Sequence, residues 1–231
     1  MKASNEHHTA ILVFALSSEE EQKRKKIRNG DRLFSALYEH SLNIVSKTGL
    51  PYFHYTEKEQ EGNSFGERFT NAIQAVFNKG YRSIITIGND SPQLKISHIQ
   101  RAAVLLDHNK SVIGPSADGG FYLMGLHRKN FNLEKFKDLP WQTSKLATQL
   151  KREFSKTTFE FVPLARLFDI DNSQDLCILS KYSDQLTYRI KKIILSLVGI
   201  TASIYKTEYP SIEQFVFKSH QNRGSPRLLK A

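Results

Sequence analysis

The stretch Ser83-Ile84-Ile85-Thr86-Ile87-Gly88, followed at once by Asn89-Asp90-Ser91-Pro92, limits the fold more than any other. It is nearly continuous, uncharged and rich in β-branched residues, which is how a parallel strand buried on both faces reads. Parallel neighbours need long crossovers, usually helices. Helical periodicity is therefore expected on both sides of it.

Upstream, Leu33, Phe34, Leu37, Leu42 and Val45 predict a helix over 32–46. Phe69, Ala72, Ile73, Val76 and Phe77 predict another over 67–78, closed by Lys79-Gly80. Downstream, Ile99, Ala102, Ala103, Leu105 and Leu106 mark a helix over 97–108. Short strands are expected at 10–16, 51–55, 112–114, 121–126 and 158–162, with further helices over 143–154 and 172–180. This alternation predicts an α/β chain, a three-layer α/β/α sandwich on a mainly parallel sheet. Such sheets bind ligands beyond the carboxyl ends of their strands.

Past residue 181 the pattern loosens. We divide the chain into a domain over 1–180 and a basic C-terminal extension over 181–231. The formal net charge is +10, and the last 51 residues hold nine Lys/Arg against Asp184, Glu208 and Glu213, so +6 of it sits there. Those charges have no aromatic interleaving and no recognisable motif, so a nucleic-acid partner is not expected. The single cysteine, Cys177, excludes an intrachain disulfide and a cysteine-rich zinc site, and fits a cytoplasmic location. The apolar run Ala10–Leu16 is far shorter than a membrane helix and leads into Glu19-Glu20-Glu21, so it is a strand and no membrane span is expected.

Carboxylates fall where strands end. Asp90 follows "IITIG", Asp118 lies between two strands in Pro115-Ser116-Ala117-Asp118-Gly119-Gly120, and Asp169 and Asp171 flank Ile170 just before a helix. A hard divalent cation takes oxygen ligands, typically one or two carboxylates plus substrate phosphates. Each position also has a plainer reading. Asp after a strand satisfies turn N–H groups. Asp171 or Asn172 can cap the following helix. "DG" between apolar runs is first a hairpin signal, and Gly119-Gly120 supply the conformational freedom that either a turn or a close ligand needs. Spacing alone leaves both readings open.

In order, "GNSFGERFTNAIQAVFNKGYRSIITIG", "IGNDSPQL", "VIGPSADGGFYLMGL", "LPW" and "FDIDNSQDL" make the chain resemble the DUF2064 proteins. These are glycosyltransferase-A-like, selenodomain-associated transferases related to 2-phospholactate guanylyltransferase, and the likeness runs over roughly residues 10–180. It implies a nucleotide-diphospho-sugar transferase fold, Rossmann-like, with a nucleotide or nucleotide-sugar substrate at the carboxyl edge. It implies a magnesium or manganese ion held by Asp90 with Asp169 or Asp171, the ion neutralising phosphate charge during transfer. Asp118, with Gly119 and Gly120, would line the acceptor side as orienting group or base, with Gly88 beside Asp90. Arg68 of "FGERF" would meet a phosphate.

The family usually opens with a glycine-containing Lys-Thr-Arg-Leu loop. Here "SSEEEQKRKKI" follows strand one, without glycine until Gly30, and Ser91 stands where cysteine is common. Lys23 and Lys26, with Arg24 and Lys25, offer charge in that loop's place; a solvated helix face is the alternative. Trp141 and Cys177 read as packing residues. The expected function is metal-dependent nucleotidyl or glycosyl transfer, with a binding module lacking catalysis as the alternative.

Overall fold

In chain order the elements are β1 (Thr9–Phe14), α1 (Ser18–Lys25), α2 (Asp31–Ser46), β2 (Tyr52–Tyr55), α3 (Phe65–Asn78), β3 (Ser83–Ile87) and α4 (Ile96–Asp107). They continue as β4 (Lys110–Pro115), β5 (Phe121–His127), α5 (Leu133–Lys137), α6 (Leu146–Phe154), β6 (Glu160–Pro163), α7 (Ser173–Ser180) and α8 (Tyr188–Glu208). The computed structural model describes residues 8–25, 27–143, 145–154 and 160–208, without the side chains of residues 147, 154 and 200–208.

The sheet order is β2-β1-β3-β5-β4-β6. β1 runs parallel to β2 and β3, and β4 runs parallel to β6. β5 is antiparallel to both of its neighbours, β3 and β4. Five strands therefore share one direction and a single hairpin partner opposes them.

β3 buries all five of its residues, as its unbroken apolar pattern requires. Successive residues serve opposite faces. Ala10, Leu12 and Ile84 meet Phe69, Ile73, Val76 and Phe77 of α3 on one side. Ile11, Val13, Ile85 and Ile87 meet Ile99, Ala102, Leu105 and Leu106 of α4, with Ile44 and Val45 of α2, on the other. Each Val, Leu, Ile or Phe among them contributes ~1.5–3 kcal/mol when fully buried. The three-layer sandwich stands on these two clusters.

Two charged or irregular stretches gain definite roles. The acidic and basic run after β1 is the helix α1, with an exposed Glu20–Arg24 pair one turn apart at 3.0 Å. The apolar residues beyond 190 belong to α8, whose Ile190, Ile194 and Leu197 pack on Leu33, Phe34 and Leu37 of α2 and on Leu176 and Leu179 of α7. The expected strand over 158–162 is found as β6, its residues 158 and 159 lying outside the described set.

α3 begins at a reciprocal cap, in which Ser64 accepts from the Glu67 N–H and the Glu67 carboxylate accepts from the Ser64 N–H. Because each parallel strand runs toward the same rim, the ends of β1, β2, β3, β4 and β6 gather there, together with the start of β5.

Candidate functional site

At that rim three chain segments are laced together. The Ile170 N–H donates to the Asp90 carbonyl at 3.0 Å, and the Leu167 N–H to the Pro115 carbonyl at 3.1 Å. The Phe168 N–H donates to the Gln93 side chain at 3.0 Å. The segment carrying Asp169 and Asp171 is thus held between the loop after β3 and the turn after β4. Asn89, buried, donates to the Leu16 carbonyl at 3.2 Å and ties in the end of β1.

The stretch 116–120 is a hairpin turn. The Ser116 N–H donates to the Gly120 carbonyl at 3.1 Å, and Gly119 has φ +98°, a conformation glycine adopts without strain. Asp118 Oδ1 accepts from the Gly120 N–H at 3.0 Å and from the Ser116 hydroxyl. Its Oδ2 carries no hydrogen bond among the described residues, and the residue is exposed. The turn reading and the rim position coexist.

Lys25 is the centre of charge. Its ammonium donates to the Ile170 carbonyl at 2.7 Å and lies 3.3 Å from Asp90 Oδ2, 3.4 Å from Asp171 Oδ1 and 3.2 Å from Glu21 Oε2. Its side chain is only 12% exposed. Burial works against that charge, but Asp90, Glu21 and Asp171 outweigh it and hold the ammonium above its ordinary pKa. Burial pushes the Glu21 carboxyl up, against the pull of Lys25.

Asp169 solves the same problem differently. It accepts from the Ser91 hydroxyl and has no ammonium beside it among the described residues. Burial, then the charges of Asp90 and Asp118, push its carboxyl well above the ordinary range, against the hydrogen bond from Ser91. Burial, then the charge of Asp169, raises the Tyr122 phenol, whose hydroxyl donates to the Ala165 carbonyl at 2.9 Å.

The remaining expected residues are more scattered. Lys23 is exposed and pairs with Glu20 at 3.6 Å. Lys26 lies outside the described residues. Arg68 is half-buried in the first turn of α3, with no ion pair among the described residues. Gly88 is close to the centre, since a Cβ there would stand 3.1 Å from Asp90 Oδ1. Gly120 is as close to the turn, where a Cβ would stand 3.3 Å from Asp118 Oδ1. Asn172 caps α7, which leaves the Asp171 carboxylate to Lys25. Trp141 packs on Phe65, Phe69 and Phe121 and donates to the Phe136 carbonyl at 2.6 Å.

Sequence reasoning singled out neither Lys25 from its basic neighbours nor Glu21 at all. The i,i+4 spacing of Glu21 and Lys25 was the available signal, but Glu20 and Arg24 share it.

Among the described residues, no group of three or more His, Cys, Asp or Glu side chains is set to hold a metal ion. Two carboxylates, Asp90 and Asp171, do converge on one cation, the Lys25 ammonium. Two carboxylate oxygens with phosphate oxygens completing the shell is a donor set that suits magnesium or manganese.

Residues 51–143 match the family described as "Uncharacterized protein conserved in bacteria (DUF2064)". The match carries Asp90 and Asp118, while Lys25, Asp169 and Asp171 lie beyond it. Among solved structures, a candidate nucleotide-diphospho-sugar transferase from Desulfovibrio desulfuricans G20 aligns over 87% of this chain and 97% of its own. It does so at 19% identity and a TM-score of 0.65, and so shares the fold. A cytidylyltransferase from Leptospira borgpetersenii serovar Hardjo-bovis (strain JB197) aligns at 14% identity over 92% of this chain and 99% of its own, with a TM-score of 0.41. A glycosyltransferase involved in glycosylation of the major capsid of PBCV-1 aligns at 16% identity over 68% and 82%, also at 0.41. No curated protein matches the chain. No described helix is long and apolar enough to cross a membrane.

Proposed function

We propose that this protein is a transferase acting on a nucleotide-activated substrate, by nucleotidyl or glycosyl transfer, with a magnesium or manganese ion. The observation that carries the reading is the convergence of Asp90 and Asp171 on one cation position at the carboxyl rim. That is where ligands of such sheets bind. The nucleotide-diphospho-sugar transferase fold supports it.

Asp90 and Asp171 would hold the ion, which when bound supplies positive charge to the substrate phosphates. Asp169 is set apart from that pair, because its Oδ1 accepts from the Ser91 hydroxyl and no ammonium stands beside it among the described residues. Asp118 offers Oδ2 to an acceptor hydroxyl while Oδ1 fixes the turn. Lys25, already at the site, supplies a positive charge for developing phosphate charge.

A second reading, a binding module without transfer, is favoured by one observation. The segment after β1 is helical over Ser18–Lys25 and has no glycine before Gly30. Calorimetric titration of GTP, CTP and UDP-glucose, each with and without manganese, tests the main reading. At least one is expected to bind, more tightly with manganese, and turnover with a suitable acceptor separates transferase from module. A folded sample that binds none of them contradicts the main reading.

A further inference from the structure

The position that the functional reading gives to a divalent ion is filled in the free protein by one of the chain's own side chains. Lys25 Nζ makes one short bond, 2.7 Å to the Ile170 carbonyl, and three ion pairs at 3.2–3.4 Å with Glu21, Asp90 and Asp171. It reaches this place because α1 has Glu21 and Lys25 on one face, one turn apart, both turned inward. Lys23 and Arg24, on the same helix, are exposed.

An ion held by Asp90 and Asp171 would stand beside Nζ, because an oxygen of each carboxylate already lies within 3.4 Å of it. A bare divalent ion arriving there meets a fixed like charge in a half-desolvated setting, where repulsion is screened less than in water. Three carboxylates surround one ammonium, however, so further positive charge is attracted once the ammonium has another partner. Substrate phosphate is such a partner.

Resting on the functional reading above, we infer that Lys25 is an internal competitor for the metal position. It excludes a free divalent ion from Asp90 and Asp171, and yields the carboxylates only when a nucleotide phosphate takes up its ammonium. Metal and nucleotide then enter as one unit. The exclusion follows from the side chain's reach, which sets the ammonium on the carboxylate oxygens that an ion would need.

The test uses manganese chloride alone, followed by the EPR signal of the free ion, on the full chain. Wild type, Lys25→Met and Lys25→Gln are compared, with circular dichroism as the check of folding. Both variants are expected to bind free manganese at least ~10-fold more tightly than wild type, with a rise in Tm on adding manganese that wild type lacks. Wild type binding free manganese as tightly as the folded variants overturns the inference.

Were both variants unable to fold, wild type decides alone. Manganese that binds only together with a nucleotide supports the inference, and stoichiometric, Asp90-dependent binding of manganese by itself overturns it. Failure of every nucleotide to bind, with or without manganese, instead defeats the functional reading and this inference with it.

Discussion

Two carboxylate groups sit side by side at the carboxyl rim and are stabilised by opposite means. Around Lys25, three carboxylates share one ammonium. Around Asp169, a carboxyl is met by the neutral Ser91 hydroxyl, and burial raises it well above its ordinary range. The first region has a cation to exchange, and the second has a hydroxyl donor in its place. The contrast is the ground for proposing the metal and phosphate chemistry at Asp90, Asp171 and Lys25, whereas the resemblance leaves Asp169 and Asp171 as alternatives beside Asp90.

The largest expected effect breaks the ionic side. Lys25→Met removes the one ammonium that, among the described residues, faces buried Glu21 and the more open Asp90 and Asp171, and should destabilise the fold by ~3–5 kcal/mol in urea denaturation at pH 7. A loss below ~1 kcal/mol would mean the cluster is held by backbone rather than by charge. The neutral side should respond less. Ser91→Ala leaves the Asp169 carboxyl short of a donor and should cost ~1–3 kcal/mol in the same measurement.

Asp169→Asn sharpens the contrast through pH. A carboxyl whose folded pKa is raised stabilises the fold below its unfolded value and loses that contribution as pH rises through the folded value. Asp169 is raised, so wild type should lose stability relative to Asp169→Asn as pH climbs from 4 toward 8. Urea midpoints measured across that range should draw apart in the variant's favour. Parallel curves would show that Asp169 ionises like an exposed carboxyl. The smallest effect is expected for Gly88→Ala, whose added methyl must displace Asp90 Oδ1 by a few tenths of an ångström. Its cost in stability should stay below ~1 kcal/mol, with nucleotide affinity reduced more visibly than Tm.

The same contrast explains how much could be read from the sequence. The strands of the sheet core announced themselves, because Ser83–Ile87 is buried throughout and its residues reveal that directly. The aspartates were legible as residues at strand ends, and the DG turn as a hairpin. Which aspartate meets a cation was not legible. That depends on Ser91 reaching Asp169 across 78 residues of chain, and on Lys25 crossing 65 residues to Asp90.

The basic run at 23–26 shows the limit most plainly. Lys23, Arg24 and Lys25 are equivalent as letters, and Glu20–Arg24 and Glu21–Lys25 are equivalent as i,i+4 pairs. Only the rotation of α1 on the domain separates a solvated pair from a buried one. The role of α8 was hidden for a related reason. Its Ile190, Ile194 and Leu197 show helical spacing, but their partners on α2 and α7 are identified only by packing.

The most direct test compares three carboxylates in one assay. Manganese–nucleotide affinity is measured by calorimetry for Asp90→Asn, Asp171→Asn and Asp169→Asn, using whichever nucleotide wild type binds. Loss of ~10-fold or more is expected for each of the first two, as for any group that holds or orients a metal, while Asp169→Asn should stay within ~3-fold of wild type. Affinity that survives Asp90→Asn and Asp171→Asn but collapses in Asp169→Asn would contradict the account.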